Sequence, residues 1–295
     1  IKNISLKVIS TLGTIKDYDK LEQIFKNHKP EVVMHAAAYK HVNLLEKNII
    51  EGAVNNIIGT YNILILSKKF KVQNFSLVST DKAVRPTNFM GATKRISEML
   101  VLSESNNINS ETKFSIVRFG NVLGSSGSVI PLFNKQISNK EPITVTHPDV
   151  ERYIMTVPEA ANLILASVQI SKGGEIFLLD MGKPVKIIDL ARKLINLSGL
   201  TEKNSKNING DIEIKFIGLR PGEKLSEELL IDLRSNKTSN ENIYISNESN
   251  LNIGNLDELI KSLKYYTKNY NDNLVIDLLK KHVEGFEKYY KWNFN

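Results

Sequence analysis

Ser79-Thr80-Asp81-Lys82 closes a strand-like run, and Lys94 follows on the next helical pattern. An acid beside a base can give a proton at one atom and take one at the next. The carboxyl end of a strand is where open α/β sheets bind their ligands. Taken alone, such a charged pair is more often a solvated salt bridge. A second stretch, His35-Ala36-Ala37-Ala38-Tyr39-Lys40-His41-Val42, ends another strand in small residues that let a ligand approach the backbone closely. A third set is spread over Arg118–Pro131, Arg152–Thr156 and Leu219–Lys224. It supplies backbone amides, Asn121, Arg152 and Arg220, an inventory that suits a diphosphate and a nucleoside. The five histidines are scattered without ligand spacing, so no metal site is expected. His41 stands out among them because it follows the small-residue strand end.

The elements that must position these residues alternate. Leu21, Ile24 and Phe25 have helical spacing, closed by His28-Lys29-Pro30. Glu31–Ala37 reads as a buried strand, and a long helical pattern runs from Ile50 to Leu64. Phe75–Thr80 and Phe114–Phe119 are strands on either side of a helix that starts near Met90. Strands separated by helices imply βαβ units and a parallel sheet. Beyond Asn121 the elements are shorter: a Gly124–Ser128 turn, a helix capped by Thr156-Val-Pro-Glu159, a strand at Glu175–Asp180 and a helix at Ile187–Leu197. Asp211–Ile217 alternates like a strand. The Asn/Ser-rich stretch 235–255 reads as a loop-rich connection, and two amphipathic helices follow it.

The chain has 295 residues, 41% hydrophobic and 24% charged, with a formal charge of +7. The positive charge is dispersed and lacks a basic stripe interleaved with aromatics, so it suits an anionic ligand better than nucleic acid. With no cysteine, disulfides, thiolate metal sites and a cysteine nucleophile are excluded. No apolar run is read as reaching the ~18 residues of a membrane span, so no membrane segment is expected in this chain. None of the 16 glycines falls in a G-x-G-x-x-G turn, and the first residue is Ile1. The expectation is that the strand, turn and helix carrying that motif lie upstream.

Together, the strings HAAAYKHV, STDKAV.PTN.MGATKR, RFGNVLGSSGSVIPLF, HPDV.RY.MT and GLRPGEKL.EEL resemble the extended short-chain dehydrogenase/reductases. Within them the chain resembles the bacterial polysaccharide-biosynthesis nucleotide-sugar 4,6-dehydratases of the UDP-N-acetylglucosamine type. The resemblance runs from near Gly13 to about Ile231. It implies a Rossmann-like doubly wound parallel sheet with a smaller C-terminal α/β substrate-binding part. Residues 1–120 would form the dinucleotide-binding part, to which segments near 150–180 return. Residues 121–235 would mainly hold the nucleotide sugar, and 236–295 would be loop and helices.

The resemblance also implies a reaction. Tightly bound NAD or NADP oxidises C4 of the sugar, water is lost across C5 and C6, and the hydride returns to C6. Asp81 would protonate the leaving hydroxyl, Lys82 would help remove the C5 proton, and Thr80 would hydrogen-bond the substrate. Lys94 would hold the nicotinamide ribose and lower the barrier at the 4-hydroxyl. Met90 stands where the superfamily usually has a proton-carrying Tyr; one branch of the dehydratases shares the Met. Since a thioether carries no proton, Met90 is expected to pack and Lys94, through water, to serve the 4-hydroxyl. Ala36, Ala37, Tyr39, Lys40, Asn55 and Ser79 match positions near the cofactor. His41, Asn121, Ser125, Arg152, Arg220 and Glu223 match substrate-binding positions. Thr14 replaces an Asp that often contacts adenine. A cytoplasmic homo-oligomer is expected, membrane-associated if the upstream region carries transmembrane helices. Two other readings remain open: a 4-epimerase of the same fold, and a nucleotide-binding module without activity.

Overall fold

The computed structural model describes residues 6–107, 110–228, 235–248 and 256–289. Four parallel strands form the centre of its main sheet: β1 (Val32–His35), β2 (Asn74–Thr80), β3 (Lys113–Phe119) and β4 (Ile176–Leu179), side by side in that order. Alternation along the strands divides the core. Phe75, Leu77, Phe114 and Ile116 face the helices of residues 49–69 and Phe89–Ser105. Val117, Phe177 and Leu179 face the Val157–Ile170 helix, which starts on a complete Thr156/Glu159 capping box. Helices therefore cover both faces, and the fold is a doubly wound α/β sheet.

Register places the chemistry. Thr80 of β2 lies beside Phe119 of β3. The turns that follow, Asp81-Lys82 and Gly120-Asn121, thus leave the sheet together at its carboxyl edge. The Phe89–Ser105 helix begins against the first of these turns, with Asn88 Oδ1 accepting from the Gly91 N–H at 2.8 Å. Gly91 permits this approach, because a Cβ there would lie 2.3 Å from the Lys82 carbonyl oxygen. The long helical pattern of residues 49–69 is interrupted by a π-helical turn, Val54–Ile58. Such turns widen a helix and re-aim its side chains; here Asn55 and Asn56 are buried within it.

The Asn/Ser-rich stretch expected as a loop is corrected by the structure. Ser235–Lys237 (β5) and Ile243–Ser246 (β6) form an antiparallel pair, and β6 pairs antiparallel with β4, extending the sheet to six strands. Residues 249–255 of that stretch lie outside the described residues. The strand signal is hidden because each strand is short and flanked by Asn and Ser; the free edge of β4 supplies the pairing. The two terminal helices, Leu256–Lys268 and Asp272–His282, are present and are followed by a short Phe286–Tyr289 turn. Leu259, Ile260, Leu263, Val275, Ile276 and Leu279 bury them in the main core.

A second, smaller cluster joins the Val129–Ser138 and Ile187–Leu197 helices to a three-stranded parallel sheet of Glu202–Lys203, Ile212–Phe216 and Ile143–Val145. One stretch, Ile49–Lys69, is by length and hydropathy apolar enough to cross a membrane, contrary to the sequence reading. In the fold 72% of its most apolar 18-residue window is buried against the protein, which makes it a core helix.

Candidate active site

β2 runs into a single 3-10 turn, Asp81–Ala83. The Thr80 hydroxyl caps it, accepting from the Lys82 N–H at 3.4 Å and donating to Asp81 Oδ1 at 2.9 Å. Asp81 is fully buried. Its Oδ1 also accepts from Lys82 Nζ at 2.9 Å, while Oδ2 has no partner among the described residues. Oδ2 lies over Gly120, where a Cβ would come within 3.0 Å of it.

Lys82 Nζ has two more oxygens nearby, Asn121 Oδ1 at 3.5 Å and Glu227 Oε1 at 3.7 Å. Burial acts to lower this lysine's pKa, but Asp81 and then Glu227 outweigh it and hold the group above its ordinary value, with Arg152 opposing. Glu227 Oε2 is buried and, like Asp81 Oδ2, without a partner among the described residues. An unmade hydrogen bond at a buried oxygen costs about 1–3 kcal/mol. The two carboxylates hold one ammonium between their other oxygens, Asp81 Oδ1 and Glu227 Oε1, so each keeps an oxygen with no partner among the described residues.

Lys94 enters the same strand end from the helix. Its Nζ donates to the Val78 carbonyl at 2.7 Å. Burial pushes its pKa down to about 8, with the Glu98 charge opposing. Met90, one helical turn earlier, is buried and packs in the main core. Ser79 does not face the strand-end ligand space with its hydroxyl, which donates to Glu98 Oε1 at 2.6 Å.

At the end of β1, Ala36 and Ala37 are exposed, leaving backbone open to a flat ligand. The π-helical turn fixes the next residues: Asn56 Oδ1 accepts from the Tyr39 N–H at 2.7 Å, and Asn56 Nδ2 donates to the Tyr39 carbonyl at 3.0 Å. Asn55 is buried and donates to Asn56 Oδ1 at 3.1 Å, so it buttresses this contact. Lys40 is exposed. A cleft of about 440 Å³ opens here, lined by Tyr39, Lys40, His41, Leu44, Asn48 and Glu51. His41 lies against the Gly124–Ser128 turn. Gly127, at φ +69°, makes room for it, since a Cβ there would sit 2.3 Å from the imidazole ring. Ser125 shapes that turn through its carbonyl, which accepts from the Ser128 N–H at 3.0 Å.

Three residues expected at the diphosphate come together, mainly by bonding one another. Arg152 donates to Glu223 Oε1 at 3.1 Å and to the Glu151 and Leu225 carbonyls at 2.7 and 3.1 Å. Glu223 also accepts from the Thr146 hydroxyl at 3.0 Å and the Arg220 N–H at 3.1 Å. The Arg220 side chain is exposed. Arg152 bears on Lys82, so this cluster adjoins the acid–base pair. Asn121 joins the pair directly, whereas Tyr39, Lys40 and His41 belong to the neighbouring β1 cleft.

Sequence reasoning missed Glu227, Asn56 and Glu98. Glu227 was present in the fifth matched string, as the first Glu of EEL, but nothing local separates it from a solvated acid. Among the described residues, no group of three or more His, Cys, Asp or Glu could hold a metal ion.

The family described as "Polysaccharide biosynthesis protein" matches residues 1–248. The capsular polysaccharide biosynthesis protein CapD of Staphylococcus aureus is 52% identical over 225 residues, which is 76% of this chain and 36% of CapD. A UDP-glucose 4-epimerase of Rickettsia bellii is 35% identical over 76% of this chain and 62% of its own length. The chain thus spans about a third of CapD and under two thirds of the epimerase. Among solved structures, Pen from Bacillus thuringiensis superposes with a TM-score of 0.71 at 38% identity, over 80% of this chain and 70% of Pen.

Proposed function

Since the chain belongs to the polysaccharide biosynthesis protein family, we propose that it is the chemistry-bearing part of a nucleotide-sugar 4,6-dehydratase acting on UDP-N-acetylglucosamine. The observation that carries this reading is the pair of buried Asp81 and half-buried Lys82, 2.9 Å apart, beside Lys94 at one strand end.

The residues fit a nicotinamide cofactor. Ala36 and Ala37 leave an open backbone cradle at β1, and Lys94 reaches the end of β2 from the next helix. NAD or NADP, when bound, would supply hydride acceptance at C4 and hydride return at C6. The chain's own residues handle protons. Asp81 must carry a proton to expel the 6-hydroxyl as water, and Lys82 must have a free lone pair to take the C5 proton. Transfer of one proton from Lys82 Nζ to Asp81 Oδ1 across their hydrogen bond prepares both. When the C5–H and C6–O bonds have broken, the C5 proton is on Lys82 and Asp81 is again a carboxylate. The resting ion pair is restored at this stage; as C6 becomes a methyl group, Lys82 would give a proton back to C5, and the 4-hydroxyl proton taken up at Lys94 makes good that loss, so that water is the net product.

Lys94 receives the 4-hydroxyl proton through a water, because Met90 cannot. A lysine held near pKa 8 has a usable neutral fraction close to neutral pH. Asn121 and Arg152 hold the substrate beside Lys82, with Glu223 orienting the guanidinium.

Turnover in D₂O tests the reading. A dehydratase of this kind delivers a product with deuterium at C5 and a 6-methyl group. The second reading, a 4-epimerase, is favoured by the 35% identity to the Rickettsia enzyme. An epimerase needs no acid for water loss, and its product carries no solvent deuterium at C5.

A further inference from the structure

Residues 223–228 form a surface segment in which the usual order of burial is reversed. Leu225 is 43% exposed, while Glu227 is only 5% exposed. A carboxylate turned inward past an exposed leucine needs charge compensation. Lys82 Nζ supplies it at 3.7 Å, and Lys224 adds a second positive charge nearby. The neighbouring Glu228 behaves ordinarily and pairs with Arg85 at the surface.

The segment is also fixed in place. The Gly222 carbonyl accepts from the Thr87 hydroxyl at 2.8 Å and from Asn88 Nδ2 at 3.2 Å. The Leu225 carbonyl accepts from the Glu151 N–H at 3.0 Å, and Lys224 Nζ donates to the Val84 carbonyl at 3.1 Å. These four bonds hold Glu227 against the turn that carries Asp81 and Lys82.

We propose that Glu227 is a positioning residue for Lys82, the anion that keeps the amine in place while Asp81 is protonated. This inference rests on the dehydratase reading. The charged groups around Lys82 are Asp81, Glu227 and Arg152, with Lys224 beyond Glu227. When Asp81 takes its proton from Lys82, the ion pair between them is gone, and the neutral amine is held only by the acceptors its N–H groups can reach. Among the described residues Glu227 is then the remaining carboxylate within 4 Å, and its buried Oε2, unpartnered among them, can accept from the amine or from a substrate hydroxyl. Without it, Lys82 would swing, and the C5 proton would lose its acceptor after C4 has been oxidised.

The test compares Glu227→Gln, Glu227→Asp and the surface control Glu228→Gln, each expressed from the complete coding sequence and supplied with UDP-N-acetylglucosamine and NAD⁺. Glu227→Gln should lower kcat roughly 10- to 100-fold with little change in KM, and reduced cofactor should accumulate because elimination slows while oxidation does not. Glu227→Asp, which keeps the charge, should recover part of the rate, and Glu228→Gln should match the unmodified protein. Unchanged turnover in Glu227→Gln, or equal slowing of oxidation and elimination, would overturn the proposal. The unmodified protein's own product judges the reading on which it rests: no loss of water there sinks the dehydratase, whatever the variants do.

Discussion

Arg118 and Glu98 are both sealed from solvent and joined by two hydrogen bonds of 2.7 Å, from Nε to Oε1 and from Nη2 to Oε2. Arg95 donates to the same Glu98 at 3.0 Å, and both arginines also hold Glu248, which follows the edge strand β6. Ser79 adds its hydroxyl to Glu98. The network thus ties β2, β3, the Phe89–Ser105 helix and the β6 end together, directly behind Thr80 and Asp81. Burial acts to raise the Glu98 pKa, but Arg118 outweighs it and holds the group well below the carboxylate range.

Breaking that network should be expensive. Glu98→Gln takes away the carboxylate bonded to both Nε and Nη2 of the buried Arg118 and leaves Glu248 alone to balance two arginines, and breaking a buried pair in this way typically costs about 3–5 kcal/mol. Chemical denaturation should show this loss, and Arg118→Met combined with Glu98→Leu should recover much of it.

Asp81→Asn removes the transferable proton with little change in shape. Dehydration should fall by about 10²- to 10⁴-fold with KM nearly unchanged, as read by steady-state kinetics. A fall confined to KM would make Asp81 a binding group instead.

Lys94 predicts a pH dependence. Its pKa is lowered by burial to about 8, so the neutral amine grows as pH rises through 8. If that amine receives the 4-hydroxyl proton, single-turnover oxidation at C4 should climb through this range and then level off. Lys94→Arg stays protonated throughout and should lose both the rising limb and most of the rate.

The main strands and the Phe89–Ser105 helix were legible because apolar spacing and caps are local signals. Phe75, Leu77, Phe114 and Ile116 alternate, and the helix expected to start near Met90 begins at Phe89. What was not legible depends on distant partners. The four residues of β6 become a strand by pairing with β4, against an Asn-rich background. The π-helical turn that aims Asn55 and Asn56 has no composition signal. Glu227 looks like its solvated neighbour Glu228 until Lys82 is placed beside it. Likewise, Ile49–Lys69 reads as apolar in isolation because the terminal helices that cover it are two hundred residues away in sequence.

His35 gives a prediction for stability. It is buried, and its Nε2 lies 2.8 Å from the Thr60 hydroxyl, whose own proton goes to the Asn56 carbonyl. The imidazole therefore donates from Nε2. Burial, then the Lys94 charge, push its pKa down to about 3. A group depressed on folding contributes stability above its unfolded pKa and loses it as pH falls towards the folded value. Between pH 6.5 and pH 5 this amounts to about 2 kcal/mol. Unfolding free energies at the two pH values should differ by that much more in the unmodified protein than in His35→Gln.

The most direct test of the central claim is the product mass when the protein, expressed from its complete coding sequence, is given UDP-N-acetylglucosamine and NAD⁺. The account predicts a product lighter by one water, formed with no net consumption of cofactor and lost in Asp81→Asn. A product of unchanged mass, formed equally well by Asp81→Asn, would contradict it.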